Sequence, residues 1–225
     1  MGEILWEGIP FRLFDIEKTA HAALFSGHSR PWEAIEAIGR YILYLFAEGY
    51  EPGIHSELPE GVRVEGDVWI GPGCKIDSGA FIRGPAWIGE GCEIRQGAYL
   101  RGNVLAGAGA VLGHASEFKN CAVLEGAQAP HFNYVGDSIL AIGAHIGAGV
   151  ILSNVRLDKR TVRVRLPGSP ELVDTGLAKF GALVGDHCEV GCNSVLNPGA
   201  ILGEGCFVLP LSRVRGVWGA GSRIE

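Results

Sequence analysis

The sequence lacks any hydrophobic run long enough to cross a bilayer, and it has no strong excess of one charge. Its longest apolar stretch, from Tyr41 to Ala47, is far shorter than the about 20 residues of a membrane-spanning helix. The formal net charge of −6 gives no general attraction to nucleic acid or to membrane phosphate. We expect no signal peptide at Met1. We therefore expect a soluble, cytoplasmic protein that binds neither nucleic acid nor membranes.

Cysteine pairs spaced for zinc binding are also absent, although the chain contains six cysteines. Four of them fall at small-residue positions of the repeat described next, and we interpret them as buried small side chains: Cys74, Cys92, Cys188 and Cys206. We predict no metal at the active site. The 35 glycines, in a chain that is 47% apolar, fit a turn-dense β-solenoid better than a disordered segment.

What the sequence does contain is a six-residue repeat of apolar residues over roughly 65 residues. Neither a helical period of 3.6 nor an alternating-strand period of 2 explains it. Six residues form one flat strand and a tight corner, and three such sides close a triangular coil with the apolar residues inside. The apolar series is Val64, Ile70, Ile76, Ile82, Ile88, Ile94, Leu100, Ala106, Leu112, Phe118, Leu124 and Pro130. The position four residues after each is mostly small, as a crowded corner requires.

This repeat predicts an all-β fold, a parallel β-helix of about seven coils over residues 61–225. It breaks after His131, restarts near Ile142 and is interrupted again after Asn154. Residues from about 156 to 178 form two alternating runs around a Pro-Gly-Ser-Pro turn, which predicts a β-hairpin ejected from the coils. Apolar residues six apart then resume at Val184, Val190, Leu196, Leu202 and Val208.

Residues 1–60 do not follow the repeat and predict a short α-helical segment. Pro31 precedes apolar residues spaced three or four apart, and Gly49 follows the last of them, which gives a helix a start and a stop. A second, shorter helix is predicted from about Asp15 to Phe25. The segment could be a linker or a docking element. We favour a lid over an open end of the solenoid, whose end coil would otherwise leave edges unpaired.

The polar residues that could carry chemistry cluster where the repeat fails, and a locally broken pattern often marks a functional site. Arg101 and Lys119 are 18 residues apart, so successive coils should stack them into a cationic pair suited to a phosphate. The alternative interpretation is that Arg101 and Lys119 are two solvated surface charges without a ligand. His131, near Tyr134, is a candidate general base because an imidazole exchanges protons near neutral pH. An isolated histidine is nevertheless more often a surface or core residue without a catalytic role.

The segment APHFNYVGDSILAIGAHIGAGVILSNV resembles the acetyltransferase domain of the bifunctional glucosamine-1-phosphate acetyltransferase / N-acetylglucosamine-1-phosphate uridylyltransferase family. The shared motif is His-x-x-Tyr-x-Gly-Asp, then Ile-Gly-Ala-Gly and an Asn, here at His131, Tyr134, residues 136–137 and 146–149, and Asn154. The resemblance covers about residues 64 to 210. The hairpin is similar to the archaeal branch, in which a sugar-1-phosphate nucleotidylyltransferase is fused to such a solenoid. The resemblance implies a left-handed β-helix that assembles as a homotrimer.

The resemblance also implies transfer of an acetyl group from acetyl-CoA to the 2-amino group of a hexosamine 1-phosphate. In that reaction His131 is the catalytic base, Glu117 orients it, and Tyr134 belongs to the same site. The residues implied to hold the sugar phosphate are Arg101, Lys119, Tyr134, His145, Asn154 and Lys179. The residues implied to line the coenzyme are Ala148, Cys192 and Pro210, and the backbone N–H of Ala148 is the one that contacts the acetyl carbonyl.

Several departures from the family pattern keep other functions open. The family's Asn is His145 here and its small Ser is Cys192, and no nucleotidylyltransferase domain is expected before the solenoid. One alternative is a non-catalytic sugar-phosphate-binding or scaffold protein that partners a separate nucleotidylyltransferase. A second is a γ-type carbonic anhydrase, which shares the solenoid but needs closely spaced zinc-binding histidines that the solenoid repeat does not supply.

Overall fold

The computed structural model describes residues 6–225, which form a parallel β-helix with one α-helix, as the repeat predicts. The β-helix is left-handed, as the resemblance implies. The helix α1 spans Glu33–Ala47 and a 3-10 helix spans Ala22–Phe25. The strands are β1 Gly53–Ile54, β2 Arg63–Glu65, β3 Val68–Ile70, β4 Lys75–Ile76, β5 Phe81–Arg83, β6 Ala86–Ile88, β7 Glu93–Ile94, β8 Tyr99–Arg101, β9 Val104–Ala106, β10 Val111–His114, β11 Glu117–Val123, β12 Gln128–His131, β13 Tyr134–Leu140, β14 His145–Ile146, β15 Ile151–Leu152, β16 Arg163–Arg165, β17 Leu172–Asp174, β18 Ala182–Val184, β19 Glu189–Val190, β20 Val195–Leu196, β21 Ala200–Leu202, β22 Phe207–Val208, β23 Arg213–Val214, β24 Val217–Trp218 and β25 Arg223–Ile224.

The strands stack into three flat faces that run the length of the solenoid. One face is an 8-stranded parallel sheet from β4 to β25, and the other two faces share a 15-stranded sheet. Because eight strands stack on one face alone, the solenoid has more coils than the about seven predicted. The coils continue without a gap across the ejected hairpin, because β18 pairs directly with β13.

The interior is filled by the apolar residues of the repeat. Ile82, Leu100 and Phe118 are all fully buried and belong to a single cluster. The predicted small residues follow them, with Cys92 and Cys188 also fully buried. Close stacking of identical coils therefore depends on the alternation of one large inward residue with one small corner residue.

The series shifts by one residue after Phe118. The inward residues there are Val123 and Ala129 rather than the predicted Leu124 and Pro130. The reason is that β11 turns its corner at Asn120 without a break, and β13 does the same at Asp137. Both corner residues have φ near +48°, at 47° and 48°, a conformation that Asn and Asp tolerate better than most residues. These two shortened corners lie at the candidate site.

The hairpin is confirmed. Strands β16 and β17 are antiparallel, with Val164 opposite Val173, and they lie between β15 and β18 in the chain. Val164 is buried in the apolar cluster that also contains the N-terminal segment, and not in the cluster of the solenoid interior. The hairpin is therefore anchored at its base while Leu172 on its outer strand remains exposed.

The predicted N-terminal helix is confirmed as α1, but the second predicted helix is wrong. Between Asp15 and Phe25 the chain forms turns and only the short 3-10 helix. The cause is capture of the backbone by the solenoid: the Asp15 N–H donates to Asp186 at 2.5 Å, and the Ala20 N–H donates to Glu125 at 2.8 Å. These two backbone N–H groups are therefore bonded to solenoid carboxylates rather than arranged as in a helix.

The expected lid over an end of the solenoid is also wrong. Of the predicted segment 1–60, the first five residues lie outside the described residues. The rest runs along one side of the solenoid, where α1 packs on β9, β11 and β13. Ile35, Ile38 and Trp32 join a second apolar cluster with outward-facing strand residues. We call this side, formed by β3, β6, β9, the second halves of β11 and β13, β18 and β21, the covered face. Strand β1, at residues 53–54, already pairs with β3.

Candidate functional site

The candidate site lies on a different side, which we call the open face: the outward surface of β5, β8, the first halves of β11 and β13, β15, β20 and β23. Each strand there alternates, with a buried residue between exposed or half-buried ones, as in Tyr99, Leu100 and Arg101. Parallel pairing places Glu117 between Tyr99 and Tyr134 on successive coils. Around Glu117 the open face therefore presents a ladder of polar and aromatic side chains.

A buried carboxylate organises one edge of this ladder. Asp137 is only 4% exposed and accepts hydrogen bonds from Lys119 Nζ at 2.8 and 3.0 Å. Asn120 donates to the same carboxylate at 3.1 Å and Asn154 at 2.5 Å. Asn154 Nδ2 also donates to the Tyr134 hydroxyl at 3.1 Å. We call these five residues the Asp137 network. It combines three predicted residues with Asp137 and Asn120, to which the sequence analysis gave no role.

The predicted cations are therefore not free. Arg101 forms a 2.5 Å ion pair with Glu117, and Lys119 is paired with Asp137. The Glu117 carboxylate raises the pKa of Arg101 further above its ordinary value. Burial raises the pKa of Tyr134, against the opposing effect of the hydrogen bond from Asn154, so its hydroxyl stays protonated. Lys119 is therefore held against a buried carboxylate, whereas Arg101 is paired with Glu117 at an exposed position.

His131 lies at the other edge of the open face, at the end of β12. Its backbone N–H donates to the Asn133 side chain at 3.0 Å, and its carbonyl accepts from Gly149 at 3.0 Å. Asn133 is itself buried and donates to the Gly147 carbonyl at 2.8 Å, which fixes this corner. The imidazole is exposed. Among residues 6–225 its ring has no hydrogen bond to Glu117, whose carboxylate contacts Arg101 instead.

The residues implied to line the coenzyme continue from His131 along the same corner. The Asn193 N–H donates to the Ala148 carbonyl at 2.8 Å, and the Leu211 N–H donates to the Cys192 carbonyl at 2.9 Å. Pro210 precedes Leu211, so Ala148, Cys192 and Pro210 occupy three successive coils next to His131. Cys192 is exposed. These residues therefore follow one another along a single corner of the solenoid.

Two predicted residues lie apart or at the margin. His145 is on the 8-stranded face, where its Nδ1 is 2.7 Å from Glu189, and it does not contact the Asp137 network. Lys179 is exposed, and the N–H of its neighbour Phe180 donates to the Asn154 carbonyl at 2.9 Å. Lys179 is therefore next to the network along the chain, with its side chain free to approach an anion.

Asp137 and Asn120 could have been found from the sequence. Asn120, Asp137 and Asn154 are each 17 residues apart, the length of the shortened coils, so they stack at one corner. Within the described part of the chain, no group of three or more His, Cys, Asp or Glu side chains could hold a metal ion. None of the helices in that part is both long and apolar enough to cross a membrane.

Comparison with known proteins gives a consistent picture. The family described as "Bacterial transferase hexapeptide (six repeats)" matches residues 67–102. A bifunctional sugar-1-phosphate nucleotidylyltransferase/acetyltransferase of Sulfurisphaera tokodaii is 32% identical over 183 residues, which is 80% of this chain and 44% of that protein. The bifunctional protein GlmU of Methanococcus maripaludis strain C7 is 40% identical over 182 residues, covering 81% of this chain and 42% of that protein.

A second GlmU protein, from Methanocaldococcus jannaschii, is 32% identical over 179 residues, again 80% of this chain and 42% of that protein. The chain thus spans less than half the length of these curated relatives. The resemblance expected from the motif around His131 is confirmed.

Proposed function

We propose, on the premise that this chain is a hexapeptide-repeat β-helix similar to the bifunctional sugar-1-phosphate nucleotidylyltransferase/acetyltransferases, that it is an acyltransferase acting on an amino sugar phosphate. The donor is acetyl-CoA and the acceptor is the 2-amino group of a hexosamine 1-phosphate such as glucosamine 1-phosphate. The single observation that supports this best is the open face itself. It carries a proton acceptor at one edge and two anchored cations at the other, on successive coils.

The reaction needs a base, an acceptor for developing negative charge and a grip on the phosphate. His131 removes a proton from the amine as its nitrogen attacks the thioester carbonyl, and the C–N bond forms. The carbonyl oxygen becomes an oxyanion, for which the backbone N–H of Ala148 is the donor. The C–S bond then breaks and the sulfur leaves as the coenzyme thiol, protonated by the imidazolium. Each atom and proton is accounted for by these groups alone.

The Asp137 network and the Arg101–Glu117 ion pair bind the phosphate. A guanidinium and an ammonium held by carboxylates can turn one or more N–H groups toward a phosphate without first losing side-chain freedom. Arg101 and Lys119 are half-exposed, with side-chain exposures of 43% and 27%. Lys179 adds a third cation from the segment after the hairpin. Tyr134 and Asn154 present neutral hydrogen-bonding groups toward the sugar.

A non-catalytic sugar-phosphate-binding or scaffold role is the second candidate. It is favoured by the pairing of Glu117 with Arg101, which leaves the proposed base without a carboxylate partner among the described residues. Thiol release separates the two roles. A binding protein takes up the sugar phosphate but releases no thiol from acetyl-CoA.

The test is a coenzyme-thiol release assay with glucosamine 1-phosphate, galactosamine 1-phosphate and glucosamine. We expect turnover with one of the two phosphates and a much higher KM without the phosphate. His131→Ala should lower kcat by about 10²- to 10⁴-fold, the usual contribution of a general base. His114→Ala is the matched control, because His114 is the register partner of His131 one coil earlier. Equal rates in wild type and His131→Ala would refute the assignment.

We further propose a cytoplasmic homotrimer in which neighbouring subunits complete the site, as the resemblance implies. Sedimentation velocity should then give three chains per particle. A variant that sediments as a monomer should lose activity while keeping its circular dichroism spectrum. Full turnover by a demonstrably monomeric form would reject this arrangement.

A further inference from the structure

A second candidate site, none of whose arginines has a role in the proposed acetyl-transfer step, lies between the ejected hairpin and the last coils. It is a cleft of about 790 Å³, a volume typical of small-molecule sites. One wall is the hairpin, with Arg163 and Arg165 on β16, and the other is the end of the open face, with Arg213 and Arg215. We call it the arginine cleft.

The cleft concentrates positive charge in a chain whose net charge is −6. A fifth arginine at its rim, Arg156, is neutralised by Asp158 at 2.6 Å. Among the ion pairs of residues 6–225, none involves Arg163, Arg165, Arg213 or Arg215. Asp174 lies opposite Arg163 on β17. Guanidinium groups brought together on two separate elements repel one another unless an anion lies between them.

The geometry also indicates what kind of anion fits. Arginine binds phosphate oxygens through pairs of parallel N–H groups, so two arginines on each wall match a ligand with two linked phosphates. The cleft also has an apolar part. Leu157 is 99% exposed and Leu172 44% exposed, and both line it. Exposed leucines beside arginines suit a ligand that carries a flat apolar ring next to its phosphates.

We propose that the arginine cleft binds a pyrophosphate-bearing, nucleotide-like ligand. Two sources have this chemistry: the nucleotide end of a coenzyme such as coenzyme A, and a nucleoside diphosphate sugar. Ser153 lines the cleft and Asn154 belongs to the Asp137 network, so a ligand in the cleft extends along the open face toward the candidate active site. The cleft's affinity for pyrophosphate is independent of the proposed function. Only the identification of the ligand as coenzyme A rests on the proposed function.

The test is isothermal titration calorimetry of the full chain with inorganic pyrophosphate, coenzyme A and a uridine diphosphate sugar. Wild type should bind pyrophosphate, with an affinity that falls as salt is raised. The double variant R213Q/R215Q should bind at least tenfold more weakly. The control R40Q/R223Q removes the same charge from the exposed Arg40 on α1 and from Arg223 on the 8-stranded face, and it should bind as wild type does. Thermal unfolding of both variants verifies that they are folded.

The two organic ligands separate the sources. If R213Q/R215Q loses affinity for coenzyme A but not for the uridine diphosphate sugar, the ligand of the cleft is the coenzyme. If it loses affinity for the uridine diphosphate sugar but not for coenzyme A, the ligand is the nucleotide sugar. Either result supports the cleft. No pyrophosphate binding by wild type, or equal binding by both double variants, would overturn it. So would dissociation of an oligomer in R213Q/R215Q without any ligand effect, because the occupant would then be a second copy of this chain. None of these outcomes depends on whether acetyl transfer is observed.

Discussion

The covered face and the open face share one interior but differ entirely outside. Inward residues on both are fully buried aliphatic side chains, for example Ile88 behind the covered face and Leu100 behind the open face. Outward residues of the covered face are apolar, including Trp87, Leu105 and Ile139. On the open face the equivalent positions carry Tyr99, Glu117, Tyr134, Ile151, Val195 and Arg213.

The difference shows that the inward apolar residues of the repeat specify the coil. The outward residues between them specify whether a face is covered by other elements or open. A strand with apolar residues on both sides must be buried on both sides, and the N-terminal segment supplies that burial. Trp69 and Trp87 stack at 4.7 Å, with Tyr50 against both rings, and close the covered face near its start. On the open face, buried residues alternate with exposed or half-buried ones, and the latter can contact a ligand.

The largest expected effect comes from a matched pair of isoleucines in outward positions. Ile139 on the covered face is fully buried, whereas Ile151 on the open face is 36% exposed. Ile139→Ala should lower the free energy of unfolding by about 2–5 kcal/mol, because it leaves a cavity under α1. Ile151→Ala should cost under about 1 kcal/mol. Urea denaturation measures both, and similar losses in the two variants would contradict the assignment of a covered and an open face.

The next effect sharpens the role of the open face. Asp137→Asn keeps the shape of the side chain but removes the charge that holds Lys119, Asn120 and Asn154. Each hydrogen bond to a charged group contributes about 1.5–3 kcal/mol, so we expect a stability loss of that order. We also expect a rise in KM for the sugar phosphate, because Lys119 is no longer fixed. Asp77→Asn is the control: its carboxylate also bonds a neighbouring coil, at Gln96. An unchanged KM in Asp137→Asn would argue against a phosphate role for the network.

The smallest effect is a pH dependence of the contact between the N-terminal segment and the solenoid. Burial lowers the pKa of His21 below its ordinary 6.5, against the opposing charge of Glu125. His21 packs on Trp87 and its Nδ1 is 3.1 Å from the Tyr41 hydroxyl. A lowered folded-state pKa means that the unfolded chain binds the proton more tightly. The contribution of His21 is therefore complete above about pH 6.5 and is lost as the pH falls below it.

Unfolding free energies at pH 7.5 and 5.5 test this. The decrease on acidification should be smaller in His21→Gln than in wild type, and His187→Gln, at an exposed histidine, should decrease as wild type does. A His21→Gln variant with the full wild-type decrease would show that His21 does not carry the pH dependence.

The sequence alone predicted those features that are local or strictly periodic. The six-residue spacing gave the interior up to Phe118, and the three- and four-residue spacing before Gly49 gave α1. The helix at Asp15–Phe25 failed because Asp186 and Glu125, more than a hundred residues away, capture its backbone. The lid failed because no local pattern says which surface an amphipathic segment covers. That information is in Trp87, Leu105 and Ile139, the apolar residues between inward positions.

For the site, the motif around His131 indicates a candidate region but not the contacts within it. Arg101 and Lys119 stack as their spacing suggests, yet Glu117 and Asp137 partner them, and spacing cannot distinguish a free cation from a paired one. His145 was grouped with the sugar site because the family pattern has a residue there. Its side chain instead contacts Glu189 on the 8-stranded face, away from the open face. The role predicted for it in binding the sugar stays a prediction.

The most direct test of the acetyl-transfer proposal is a crystal structure with coenzyme A and a hexosamine 1-phosphate bound together. We predict the amino group within hydrogen-bond distance of the His131 imidazole, and the phosphate against Arg101, Lys119 and Lys179. A sugar phosphate bound on the 8-stranded face, or with its amino group far from His131 in every subunit arrangement, would contradict the proposal.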